Sequence, residues 1–166
     1  MSRRSSVAPL DRLYACLTYL LPITAVVIFG SFLFDQFPQL EILFFPIFIL
    51  QGILTISILQ IIPLRFVAWL CVFLAVVRNY KVNHFIRFNG MQALLLDVVV
   101  EIVRVMLMIL IKLLGTIAFF PFLFQIISSV TFLGIIAASG YAIWQSVWGK
   151  YSEMPVISEV AYMQVR

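Results

Sequence analysis

Three ionisable residues, Asp97, Glu101 and Arg104, interrupt the largely apolar stretch RFNGMQALLLDVVVEIVRVM at residues 87–106. If this stretch is helical, residues three and four positions apart share one face. That face would contain Asn89, Ala93, Asp97, Glu101, Arg104 and Met108. Arg87 and Gln92 extend the polar character toward one end of the same predicted helix. The candidate functional residues, for a polar path or for docking a partner, are therefore Arg87, Asn89, Gln92, Asp97, Glu101 and Arg104.

The cost of burying these charges indicates that they face protein or water. A charged side chain near the centre of a bilayer costs about 2.5–3.5 kcal/mol on insertion scales. Glu101 and Arg104 can neutralise one another, whereas Asp97 has no partner in its own helix. Two interpretations follow. The charges line a path for something charged or hydrogen-bonding, or they bond to neighbouring helices or a partner subunit and hold an assembly together.

The sequence shows no motif for other chemistry. It contains no phosphate-binding glycine loop, nucleophile elbow or helix with paired metal ligands. His84 stands alone between Lys81 and Arg87, and Cys16 and Cys71 lie in separate apolar runs. We therefore expect no enzyme activity, no catalytic residue, no cofactor and no metal site.

The composition is that of an integral, multi-pass membrane protein. Of 166 residues, 64% are hydrophobic and 11% are charged, and the mean hydropathy is +1.13. Soluble domains are about 45–50% apolar and about 25% charged. The net charge of +4 comes from residues at the ends of apolar segments, where charge sets membrane topology, so we expect a lipid bilayer and no nucleic acid as partner.

The hydropathy pattern predicts an all-α membrane protein with four transmembrane helices and one interfacial or re-entrant hydrophobic segment. The predicted helices cover about residues 13–34, 61–78, 88–111 and 121–147 of a single domain, 1–166. The additional segment covers about 41–59 and is expected to be broken by Pro46 and Gly52. A fifth crossing in place of this segment is the alternative, but it needs a tight turn within QIIPL, which offers only Pro63 as a turn residue.

The distribution of basic residues favours four crossings. With four, eight Arg and Lys residues lie on one side, including Arg3, Arg4 and Arg166, and two, Arg65 and Lys112, lie on the other. With five crossings the two sides would carry five each. The positive-inside rule therefore predicts four crossings with both termini on the cytoplasmic or stromal side.

Three segments resemble one family of membrane proteins. DRLYACLTYLLPI at 11–23, VVRNYKVNHFIRFNGMQALLLDVV at 76–99 and MPVISEVAYMQVR at 154–166 are similar to the Tic-twenty family, the membrane subunit of the protein translocon of the plastid inner envelope. The resemblance covers nearly the whole chain, and HFIRFNxMQAxLLD is its most specific part. It implies four helices, stromal termini and a role in moving preproteins. The matching motif positions, to which the resemblance assigns no individual role, are Arg87, Asn89, Met91, Gln92 and Asp97.

The resemblance makes a translocon subunit the leading hypothesis. Its expected partners are preproteins, other translocon subunits and copies of itself. Because the first apolar run is expected to be retained and no targeting leader precedes it, we expect a plastid-encoded protein of the inner envelope or a cyanobacterial protein of the inner (plasma) membrane. The alternatives are a small-solute or ion carrier that uses Asp97, Glu101 and Arg104, and a purely structural subunit of a membrane complex.

Overall fold

A computed structural model of the chain describes residues 7–58, 61–154 and 157–165. Arg3, Arg4 and Arg166, which enter the charge count above, lie outside these ranges. The elements are, in chain order, α1 (Pro9–Thr18), α2 (Leu20–Val26), a 3-10 turn (Val27–Gly30), α3 (Ser31–Gln36), α4 (Pro38–Thr55), β1 (Ser57–Ile58), β2 (Ile62–Pro63), α5 (Leu64–Cys71), a π-helical segment (Val72–Val77), α6 (His84–Leu114), α7 (Phe120–Val147) and α8 (Ile157–Gln164).

The chain is an all-α membrane protein, as predicted. Within the described residues, three helical stretches are long and apolar enough to cross a bilayer, namely Pro9–Gln36, which comprises α1 to α3, then α4 and α7. The longest helix, α6, has 31 residues and contains the predicted charged stripe. Leu64–Val77 is a shorter apolar helix, formed by α5 and the π-helical segment.

The segment at 41–59 differs from the prediction. We expected Pro46 and Gly52 to break it, but Pro38–Thr55 forms one unbroken helix of 18 residues with Pro46 inside. At 1.5 Å per residue this helix is about 27 Å long, close to the thickness of the hydrocarbon core. Its apolar composition outweighs the loss of one backbone hydrogen bond at Pro46, which membrane helices tolerate.

The next predicted span, 61–78, is shorter than expected. It begins at Leu64 and ends at Val77, which is about 21 Å of helix. It is preceded by an antiparallel hairpin in which Ser57 pairs with Pro63 and Ile58 with Ile62. The second quarter of the chain is therefore a helix, a hairpin and a short helix.

The two helices on either side of the hairpin run toward the same end of the bundle. Phe44 and Phe48 of α4 contact Phe34 of α3, with ring centroids 5.6 and 5.2 Å apart, and the end of α4 lies at the level of Thr24 in α2. α4 thus runs back along α3 and α2.

The short helix continues in that direction. It begins where Arg65 contacts Thr24 and Asp97. It ends where Val77 accepts a hydrogen bond of 2.9 Å from Arg87, near the start of α6.

One end of the bundle collects the basic residues. Asp11 of α1 accepts a hydrogen bond of 2.7 Å from Asn83, which caps α6, so the start of α1 and the start of α6 lie together. Arg12 joins the end of α7 to this region by donating to the carbonyl of Val147 at 3.2 Å. The described basic residues of this end are Arg12, Arg78, Lys81, Arg87 and Lys150.

Arg65 does not lie where the charge count placed it. We expected it at the far end of the second span, together with Lys112. Instead it lies at half height in the bundle, where it contacts Asp97 near the midpoint of α6. An arginine in an apolar segment cannot be left unpaired, so its position is set by the carboxylate rather than by the membrane surface.

Candidate functional site

An ion pair between α5 and α6 joins two charges that are far apart in the sequence. Arg65 binds Asp97, whose side chain is only 4% exposed. Arg65 also donates to the hydroxyl of Thr24 at 3.2 Å and to the carbonyl of Leu21 at 3.0 Å. Arg65 is therefore the partner that Asp97 lacks in its own helix, and it anchors the start of α5 to α2 and to α6.

Sequence reasoning did not connect these two residues, although a signal existed. Arg65 is the one basic residue of the apolar region 42–77, and Asp97 is the one charge of the stripe without a helical neighbour of opposite sign. Two uncompensated charges of opposite sign in apolar segments are candidates for a pair, because neither is stable alone away from water.

Glu101 and Arg104 form the predicted pair within α6. Arg104 donates to both carboxylate oxygens of Glu101, at 2.9 and 3.0 Å. Glu101 also lies 3.6 Å from the Nε of Arg65, and its side chain is 40% exposed. The four charges therefore form a cluster of zero net charge, which we call the charge cluster: Arg65, Asp97, Glu101 and Arg104.

The charge cluster lines a cavity at half height in the bundle. The cavity has a volume of about 840 Å³. Besides the charge cluster, its walls include Thr24 and Ile28 of the first long helical stretch, Gln51 and Thr55 of α4, and Phe66 and Trp69 of α5. Phe66 and Val98, both at the cavity, are 55% and 39% exposed, so the cavity opens through the side of the bundle.

Aromatic packing lies between the cavity and the end of the bundle opposite the basic residues. Four phenylalanine rings from α3, α4 and α7 pack there at centroid distances of 5.2–5.6 Å. These rings are Phe34, Phe44, Phe48 and Phe132. Gly30 lies against them, since a Cβ at this position would be 2.7 Å from the ring of Phe34 and 2.9 Å from that of Phe132. This packing fills the space between the helices.

Asn89 and Gln92 belong to a second, fully buried cluster at the basic end. The hydroxyl of Tyr19 lies 3.0 Å from Asn89 Oδ1 and 2.9 Å from Gln92 Oε1. Gln92 donates to the carbonyl of Ser152 and the hydroxyl of Ser158, both at 2.8 Å, and accepts from Ser152 Oγ at 2.6 Å. Gln92 thereby fastens the C-terminal segment to α6, whereas Asn89 joins α6 to α7 by accepting from the hydroxyl of Ser146 at 2.9 Å.

The C-terminal segment closes this end of the bundle. Ala161 and Val165 are fully buried, and Tyr151 and Tyr162 pack on Phe88 with ring centroids 5.2 and 4.4 Å away. Burial raises the pKa of Tyr151, and burial together with the nearby carboxylate of Glu153 raises the pKa of Tyr162. Both hydroxyls are thus held in their neutral form.

Arg87 is separate from both clusters. Its Nε donates to the carbonyl of Val77 at 2.9 Å, and its guanidinium lies 4.8 Å from the ring centre of Tyr80. Arg87 therefore joins the start of α6 to the end of the π-helical segment and to the following loop, with little of it exposed.

The predicted stripe is thus divided in the structure. The charge cluster contains Asp97, Glu101 and Arg104, whereas Asn89 and Gln92 lie in the network that holds the C-terminal segment. Ala93, fully buried, stands between the two groups, and Met108, at the other end of the stripe, is 54% exposed. The part of the chain that the structure describes contains no group of three or more His, Cys, Asp or Glu that could hold a metal ion.

Comparison with known proteins identifies the family. The profile of the family described as "Chloroplast import apparatus Tic20-like" matches residues 9–161. A "Tic20 family protein" of Synechocystis sp. is 35% identical over 167 residues, which cover 100% of this chain and 99% of that relative. "Protein TIC 20-II, chloroplastic" of Arabidopsis thaliana is 35% identical over 106 residues, which cover 61% of this chain and 49% of that relative. The resemblance drawn from the three sequence segments is confirmed: the chain belongs to the Tic20 (Tic-twenty) family.

Proposed function

We propose that the protein is a subunit of a protein translocon and contributes to moving preproteins across the membrane. The observation that carries this proposal is the cavity at half height. The chain belongs to a family described as chloroplast import apparatus, and its cavity is a polar, laterally open site at the depth where a membrane is least polar. Ionisable residues in that position are costly, and in membrane proteins they typically mark substrate paths. The membrane in question is the plastid inner envelope membrane or the inner (plasma) membrane of a cyanobacterium.

One copy of the chain forms part of a path rather than a complete one. A volume of about 840 Å³ falls within the range of ordinary ligand cavities, about 300–1,000 Å³. The phenylalanine packing described above blocks one end, and the C-terminal segment covers the other. A continuous route for a polypeptide therefore requires other translocon subunits or further copies of this chain against the open side.

The proposal includes four crossings. α4 and the short helix run in the same direction, so together they make one interrupted crossing, between the crossing of Pro9–Gln36 and that of α6. α7 makes the fourth. Both ends of the chain then lie with the basic residues, on the cytoplasmic or stromal side by the positive-inside rule. Cysteine labelling from each side of sealed vesicles, at positions 80 and 117, tests this arrangement.

A small-solute or ion carrier is the second candidate, and the buried Arg65–Asp97 pair favours it, because ionisable pairs at half depth are typical of transport sites. The two functions respond differently to Asp97→Asn. A carrier would lose solute transport in vesicles while its assembly stayed intact. For a translocon subunit, we expect the amount of arrested preprotein recovered with the subunit to differ between the wild type and the variant. Neither of these two proteins should transport the solute. A purely structural subunit would lose its complex.

Capture of an arrested preprotein tests the proposal. A precursor fused to a tightly folded domain stalls during transport, and the tagged subunit is then isolated from the solubilised native membranes. We expect the precursor to be recovered with the subunit, and the same precursor without its targeting segment, which is the matched control, to be absent. Equal recovery of both precursors, or of neither, would contradict the proposed function.

A further inference from the structure

The hairpin between α4 and α5 puts non-helical backbone at half height in the bundle. Thr55, just before the hairpin, and Pro63, within it, both line the cavity, and Leu64 donates to the carbonyl of Ile56 at 2.8 Å. The four strand residues Ser57, Ile58, Ile62 and Pro63 are all exposed. The hairpin therefore stands at the mouth of the cavity with one edge of each strand unpaired within the described residues.

Lipid alone cannot cover this backbone. In the hydrocarbon region each unsatisfied N–H or C=O group costs several kcal/mol, and irregular backbone is stable there only against protein or water. An acyl chain offers no hydrogen bonds. A polypeptide segment offers both donors and acceptors, and an extended segment can pair with the free edge of a hairpin.

The cavity behind the hairpin supplies matching polar contacts. The Nε of Arg104 is buried and has no acceptor among the described residues. The half-exposed carboxylate of Glu101 is the least buried member of the charge cluster. A segment that enters sideways can therefore place an apolar surface on Ile28, Phe66 and Val98 and direct a polar group to Arg104 or Glu101.

We infer that the cavity and the hairpin form a lateral docking site for an apolar polypeptide segment that carries a hydrogen-bonding group and enters from the bilayer. The inference rests on the proposed function and narrows its substrate class, because the preferred clients are then precursors with membrane-inserting segments. The closed ends of the bundle support sideways entry, since a segment threaded along the bundle axis meets the phenylalanine packing.

Site-specific photocrosslinking in native membranes tests this site. A photoreactive phenylalanine analogue replaces Phe66 or Val98 at the mouth, and Val130 or Leu133 on the outer face of α7 as matched controls, which are 65% and 55% exposed. Two arrested precursors are compared, one with an internal apolar segment and one without. At the mouth positions, we expect about tenfold more adduct with the precursor that has the apolar segment than with the one that lacks it. This ratio corresponds to about 1.4 kcal/mol of preferential binding.

Each other outcome overturns a defined part of the reasoning. Equal adducts with both precursors at the mouth would leave the translocon standing and refute the preference for apolar segments. Precursor adducts only at the control positions would refute the lateral site. Adducts only with a resident membrane protein would make the cavity a subunit interface, and adducts only with lipid would refute the docking of any polypeptide there. If neither of these two arrested precursors is recovered with the tagged subunit in the capture experiment, the proposed function itself is refuted.

Discussion

Removing Arg65 is expected to destabilise the bundle because it leaves a buried carboxylate without its counter-ion. The side chain of Asp97 is 4% exposed and that of Arg65 is 16% exposed. Removing one partner of a buried pair typically costs about 3–5 kcal/mol. Arg65→Gln should therefore shift the folding equilibrium by about 10²- to 4 × 10³-fold, at about 1.4 kcal/mol for each factor of ten.

Equilibrium unfolding of the purified protein in mixed micelles, with increasing dodecyl sulfate, measures this change. Tryptophan fluorescence is a suitable signal, since Trp69 lies one helical turn after Arg65 and stacks on Phe73 with ring centroids 5.5 Å apart. Arg78→Gln is the matched control. Arg78 is exposed, so we expect a change within about 0.5 kcal/mol.

The double variant distinguishes the ion pair from general damage. Replacing Asp97 with Asn removes the charge that Arg65 compensates, so Arg65→Gln combined with Asp97→Asn should recover much of the stability lost by Arg65→Gln alone. A double variant whose loss equals the sum of the two single losses would refute the coupling. A loss for Arg65→Gln no larger than that for Arg78→Gln would refute the buried pair itself.

Three further changes test the basic end of the bundle. Gln92→Ala leaves the buried hydroxyl of Ser152 without its acceptor, at about 1–3 kcal/mol for the unsatisfied group, and should speed proteolysis of the C-terminal segment in a timed digest. Gly149→Ala should cost about 1–2 kcal/mol in the unfolding assay, because Gly149 has φ +68° and L-residues are strained there; an unchanged midpoint would contradict this. Because the pKa of Tyr151 is raised in the folded protein, the tyrosine of the unfolded chain loses its proton first as pH rises. The stability of the C-terminal segment should therefore be complete below about pH 10 and fall at higher pH. Timed digests across that pH range should show a smaller fall for Tyr151→Phe.

The long apolar helices could be predicted because their signal is local. The predicted span 121–147 is Phe120–Val147 in the structure, and 88–111 lies within His84–Leu114. Phe120–Val147 has enough consecutive apolar residues to specify itself without reference to its neighbours. The apolar residues of α6 are interrupted by Asp97, Glu101 and Arg104, but the runs between them are still a local signal for a helix. For the same reason, the all-α membrane fold followed from composition and hydropathy alone.

The middle of the chain could not be predicted because its structure depends on tertiary contacts. Pro46 is a local signal for a break, yet α4 continues through it, with Phe44 and Phe48 packed on Phe34. Arg65 is a local signal for a segment end, yet its pair with Asp97 brings it inside. In both cases the deciding interaction is with a residue of another helix, which hydropathy and residue spacing do not record.

The division of the stripe on α6 separates residues that hold the fold from residues that remain available for binding. Asn89 and Gln92 are fully buried, and all their described contacts lie within the chain. Glu101 is half exposed at a laterally open cavity. Substitutions at Gln92 should therefore affect function only through the stability of the C-terminal segment, and substitutions at Asn89 only through the packing of α6 against its neighbouring helices. Glu101→Gln keeps the size of the side chain and leaves that segment untouched, so a defect in client binding at unchanged stability would place the function in the cavity.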